Sequence, residues 1–127
     1  MPGMKLYQDS ETRQYSIRAY TDTSVTVNED IYTQPLVITP DKLPSDWSAP
    51  CFAELDSSHL RELKDLDMEI LLLGTGNRQR FPDPRLLLTL QDRGVGIEVM
   101  TTPAACRTYN ILIAEGRAVA AALFIEP

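Results

Sequence analysis

The sequence predicts an α/β domain: a mixed, mostly parallel sheet flanked by helices, with a small N-terminal antiparallel β layer. Three observations carry this. From residue 69 onward three apolar runs, 69–73, 95–100 and 118–125, alternate with two stretches at helical spacing. Strands joined through helices over short connections lie parallel. Before residue 40 the apolar residues alternate in short runs broken by polar pairs, the pattern of hairpins. The chain has 127 residues, 43% hydrophobic and 24% charged, which is the size and composition of a single globular domain over 1–127.

Residues 1–14 are expected to be a loosely ordered end. Tyr15, Ile17 and Ala19, then Val25 and Val27, alternate with polar neighbours, and Asp22-Thr23 between them is a hairpin turn. After the break at Asn28-Glu29-Asp30, Ile31 to Thr33 and Leu36 to Thr39 extend the same antiparallel layer, with Pro35 at an edge or bulge. Pro40, Pro44 and Pro50 make a loop, from which Trp47 is expected to pack down over the edge of the core. A helix runs from Asp56, its N-cap, to about Asp65; Leu55 and Leu60 form a hydrophobic staple. His59, the single histidine, falls in its first turn, where a surface or capping role is expected.

The strand Glu69 to Leu73 is apolar enough to be buried on both faces and runs into the turn Gly74-Thr75-Gly76. Asp83 as N-cap and Pro84 at N1 start a second helix, with Leu86, Leu87 and Leu90 inward and Gly94 at C′. Strand 95–100 follows. Thr101 or Thr102 caps a third helix with Pro103 at N1, and Ala105, Cys106, Tyr109, Leu112 and Ile113 form its buried stripe. In the last strand the run Val119 to Leu123 is rich in alanine, small enough to let a helix or another subunit lie close.

Net charge is −6, which argues against a nucleic-acid or anionic-membrane binder. No run approaches the ~20 apolar residues of a membrane span, and the first ten residues lack the apolar region of a signal peptide. A cytoplasmic location is the expectation. Cys51 and Cys106 are far apart and read as two reduced thiols; no metal, cofactor or catalytic set is expected.

The candidate site lies at the carboxyl ends of strands 69–73 and 95–100, where open α/β sheets place ligands. It comprises Gly74, Thr75, Gly76, Asn77, Arg78, Arg80, Thr101 and Thr102. A helix N-terminus offers free N–H groups and the positive end of a dipole, and two arginines add charge. The chemistry is that of an anion cleft for a phosphate, a carboxylate or an acidic side chain of a partner. GTGNRQ lacks the third glycine of GxGxxG and the lysine of a Walker loop, so a nucleotide is not specified. Glu98, in a strand expected to be buried, would need a cationic mate such as Arg78 or Arg107. Asn110 reads either as a buried hydrogen-bonder or as a site residue.

The segments ILLLGTGNRQRFP and GVGIEVMTTPAACRTYNILIAEGRAVAAALF, with Tyr32, the Leu36 strand and Trp47, resemble a domain-of-unknown-function family. That family includes a mitochondrial respiratory complex I assembly factor and small bacterial and archaeal proteins. The resemblance runs from about Tyr15 to Phe124. It implies a compact α/β domain, a cleft near the GTG turn, dimers in some members, and no established enzyme activity. With it, the leading expectation is a non-enzymatic binding or assembly-type factor, with a protein partner at the cleft or the alanine-rich surface. The alternative is an enzyme or sensor for a small anionic ligand at the GTG turn.

Overall fold

The structure, a computed structural model, describes residues 14–127, so nearly all of the N-terminal stretch expected to be loosely held lies outside the described residues. Its eight strands divide into two sheets. β1 (Ile17–Tyr20), β2 (Val25–Val27) and β3 (Asp30–Tyr32) form an antiparallel three-stranded sheet in sequence order. Asn28, with φ of 52°, stands at the tight β2–β3 turn, a conformation asparagine tolerates better than most residues. Its Oδ1 accepts from the Ser16 N–H at 3.0 Å.

The second sheet has five strands: β4 (Leu36–Ile38), β5 (Ser45–Asp46), β6 (Ile70–Thr75), β7 (Gly96–Met100) and β8 (Val119–Phe124). Their order is β5-β4-β8-β6-β7; β6 is parallel to β7 and β8, and β4 is antiparallel to β5 and β8. Here the structure corrects one expectation. The Leu36 strand does not belong to the N-terminal layer but crosses to the main sheet, setting Ile38 opposite Ala121. That crossing makes the sheet mixed.

The main sheet is covered on both faces. On one lie the small sheet and α3 (Thr102–Ala114), whose Ala105, Cys106, Tyr109 and Ile113 pack with Leu72, Ala121, Leu123 and Ile17. On the other lie α1 (Ser57–Arg61), α2 (Leu88–Gln91) and Trp47, over Leu71, Leu73, Ala120, Ala122 and Phe124. Trp47 covers this core, its ring centroid 4.9 Å from that of Phe124, and its Nε1–H donates to the His59 carbonyl at 3.0 Å. All six residues of β8 are buried. The alanines do admit a close helix, but no second subunit can reach them. No helix among the described residues is long and apolar enough to cross a membrane.

Local sequence explains the ends of the helices. Asp56 caps α1, accepting from the Ser58 and His59 N–H groups, and the His59 Nδ1 accepts the Asp56 N–H at 3.0 Å, closing a capping box. Regular helix stops at Arg61, shorter than the Asp65 expected. The second helix is likewise reduced: a 3₁₀ turn over Pro84–Leu87 leads into one α-turn. Thr101 is the cap of α3, which moves Pro103 to N2. β7 is an edge strand, so Glu98 is exposed and does not need the cationic mate expected for it.

Asn110 ties α3 to the small sheet. Its Oδ1 accepts the Ile17 N–H at 2.9 Å and its Nδ2 donates to the Ile17 carbonyl at 2.7 Å. The side chain thus substitutes for a strand partner along the edge of β1. Asn110→Leu keeps the volume but strands both groups, at about 2 kcal/mol. Tm should fall by roughly 6–10 °C, with the largest loss of amide protection at Ile17.

Candidate functional site

The eight residues singled out at the sheet edge do meet, at the carboxyl end of β6. The strand is longer than its apolar run: Gly74 and Thr75 belong to it, paired with Leu123 and Phe124 of β8, and the turn begins at Gly76. Gly74 lies under the first turn of α3, where a Cβ would stand 2.8 Å from Thr102 Oγ1 and 3.1 Å from Thr102 Cα. Only glycine lets the helix start this close to the strand.

Thr102 fastens the junction. Its Oγ1 accepts the Gly76 N–H at 2.9 Å and donates to the Phe124 carbonyl at 2.6 Å, and its own N–H donates to the Gly76 carbonyl at 2.8 Å. One buried threonine thereby joins the ends of β6, β8 and α3. Thr75, also buried, closes the next loop: its Oγ1 donates to the Arg78 carbonyl at 2.6 Å and accepts the Arg80 N–H at 3.3 Å.

Arg80 folds back instead of facing solvent. Its Nη2 donates to the Thr75 carbonyl at 2.9 Å and to the Glu126 carboxylate, and its guanidinium lies 4.6 Å above the Phe52 ring. Glu126 accepts the Phe52 N–H at 3.2 Å as well, and its carbonyl accepts the Asn77 N–H at 2.9 Å. The charge of Arg80 is thus balanced inside the molecule.

The free N–H groups expected at this helix end are engaged. Thr102 donates to Gly76, Pro103 has no N–H, Ala104 donates to Thr101 Oγ1 at 3.3 Å, and Ala105 donates to the Thr101 carbonyl at 2.8 Å. Arg78 is exposed, and Gln79 reaches over to donate to the Val99 carbonyl at 3.1 Å. The arrangement is a hydrogen-bonded lock at the sheet edge. Sequence reasoning named most of its members but missed Glu126 and Phe52. Glu126 is the first acid after an unbroken buried strand, which was the available signal; nothing local marks Phe52.

Glu69, one of three acids close in sequence, pairs with Arg117. Among the described residues no group of three or more His, Cys, Asp or Glu converges on a metal position. Cys106 is fully buried, and burial pushes its thiol up to about 12. Because the folded value is raised, its contribution to stability is whole below about pH 9 and is lost as pH rises from about 9 to 12. Over that range the Tm of wild type should fall more steeply than that of Cys106→Ala. In native protein near neutral pH, Ellman's reagent should count Cys51 alone.

Two surface pockets among the described residues bear on function. One, of about 190 Å³, opens at the opposite end of the sheet among Thr39, Asp41, Lys42, Asp67 and Arg117. The other, of about 220 Å³, lies beside the lock and is lined by Phe52, Ala53, Leu55, Phe81, Pro82, Asp83 and Leu86.

A five-stranded mixed sheet clasped between helices, with an antiparallel three-stranded sheet beside α3 on one face, defines the class: an α/β domain. A Bordetella pertussis protein described as a Mth938-like domain superposes with a TM-score of 0.78 at 31% identity, covering 88% of this chain and 86% of its own. The crystal structure of a Bordetella parapertussis protein superposes at 0.84 with 37% identity, over 89% of this chain and 97% of that one. The chain belongs to the family described as protein of unknown function (DUF498/DUF598), whose model matches residues 17–124. Among curated relatives, the NADH dehydrogenase [ubiquinone] 1 alpha subcomplex assembly factor 3 of Xenopus tropicalis is 34% identical over 109 residues, or 84% of this chain. The match spans 59% of the frog protein's length.

Proposed function

We propose that this chain is a non-catalytic assembly-type factor, a domain that binds a protein subunit and holds it while a larger complex is built. The observation that carries this reading is the 34% identity with the frog assembly factor across 84% of the chain. The sheet edge supports it. Thr102 and Arg80, two of the groups named for a small anion there, are engaged within the fold, Arg80 with Glu126. What the domain offers a partner is therefore surface, as a chaperone-like holder does.

The test is affinity capture of the chain tagged and expressed at its native level, with a parallel native-gel comparison of membrane complexes in cells lacking the gene. A reproducible protein partner in near-stoichiometric amount is expected, with a sub-complex accumulating in the deletion strain. An unchanged complex profile with no partner above the tag control, alongside turnover of a small molecule by the purified protein, would sink the reading.

A further inference from the structure

We propose that the pocket beside Phe81 is where the partner docks, and that it takes an apolar anchor side chain flanked by lysine or arginine. The proposal rests on the assembly reading and gives it a surface and a partner chemistry.

Phe81 is 77% exposed, more than any other large hydrophobic residue of the described chain. It is not on a loose loop. The Arg80 before it is held by Thr75, Glu126 and the Phe52 ring, and Pro82 follows it directly. An aromatic ring held out in water by a rigid backbone is already ordered for binding. Six of the seven residues lining the adjacent pocket are apolar. Its volume of about 220 Å³ is below the roughly 300–1,000 Å³ of small-molecule sites. It suits one inserted side chain of the kind that dominates protein interfaces. Phe52 at its base is braced by the Arg80 guanidinium and edge-on by Phe124, ring centroids 5.9 Å apart, so the pocket is built on the rigid end of the sheet.

The charges around it select the flanks. Both nearby cations are neutralised internally, Arg80 by Glu126 and Arg85 by Asp83. Arg78, three residues upstream, does not line the pocket. Glu54, exposed and placed between the lining residues Ala53 and Leu55, has no Lys or Arg partner among the described residues, whereas the Asp56 carboxylate just beyond is taken up in capping α1. Opposite charges across an interface favour binding, so the unpaired carboxylate of Glu54 beside the pocket points to a cationic segment.

The test uses the full chain and short fluorescein-labelled peptides read by fluorescence anisotropy. One peptide carries Phe and Leu anchors with Lys flanks, a second the same anchors with Glu flanks, and a third the Lys flanks with anchors replaced by Ser. The Lys-flanked anchored peptide is expected to bind at least ~10-fold more tightly than either control and to weaken as salt is raised. Phe81→Ser should lower that affinity ~10-fold or more with Tm unchanged, since the side chain is exposed, and Glu54→Lys should erase the preference for Lys flanks. Equal binding of the three peptides, or full binding by Phe81→Ser, overturns the proposal; so does a dimer, seen by sedimentation, that Phe81→Ser dissolves. A captured partner that Phe81→Ser still retains would overturn this surface while leaving the assembly reading intact. Peptide binding as described, with no captured partner, would do the reverse.

Discussion

Thr102→Val should destabilise the protein by about 4 kcal/mol, while Thr102→Ser stays within about 1 kcal/mol of wild type. Valine matches threonine in shape, so packing is nearly conserved and the hydroxyl alone is removed. That hydroxyl serves two buried backbone groups, the Gly76 N–H and the Phe124 carbonyl. Each would be left in a site water does not reach, at about 1–3 kcal/mol apiece. Chemical denaturation with an unchanged m-value is the measurement. A loss as small as that of Thr102→Ser would mean the two groups find other partners.

Gly76→Ala should cost about 3 kcal/mol, by two separate routes. With φ of +92° the residue is in a region that side-chain-bearing residues avoid, at about 1–2 kcal/mol. The added Cβ would also stand 2.7 Å from the Glu126 carbonyl oxygen, and relieving that overlap means shifting backbone, at about 1–3 kcal/mol. Tm should drop by roughly 10 °C. Because Glu126 would have to move, the Arg80 ion pair should loosen too. A Gly76→Ala variant melting within about 2 °C of wild type would contradict this geometry.

Much of the fold was legible because its second half obeys local rules. Helical turns that open on a capping side chain followed by proline, at Asp83-Pro84 and Thr101 to Pro103, punctuate apolar strands, and these two starts have a side-chain reason. What was not legible depended on distant partners. Nothing within Leu36 to Thr39 says which sheet it joins; that is decided by Ala121 and Ala122, more than 80 residues on. Glu98 read as buried because its neighbours are apolar, yet no strand lies beyond β7. Val119 to Leu123 read as a surface, though it fills the space beneath α3 and Trp47.

The candidate site was half legible for a related reason. Glycines, threonines and arginines at a strand end have the same composition whether they face a ligand or one another. That Arg80 meets Glu126 and that Thr102 is buried beneath the first turn of α3 depend on the return of the chain at its far end, which no local pattern marks.

The placement of β8 also bears on how the chain is made. Of the five strands of this sheet it is the last to be synthesised, yet it lies between β4 and β6, which do not pair with one another. A nascent chain that has emerged only as far as α3 holds two apolar strands with unpaired inner edges, the kind of exposure that invites aggregation. The main sheet therefore closes after its final segment leaves the ribosome. Ribosome-stalled chains should stay sensitive to protease until Val119–Phe124 has cleared the exit tunnel, and should become resistant in a single step once it has.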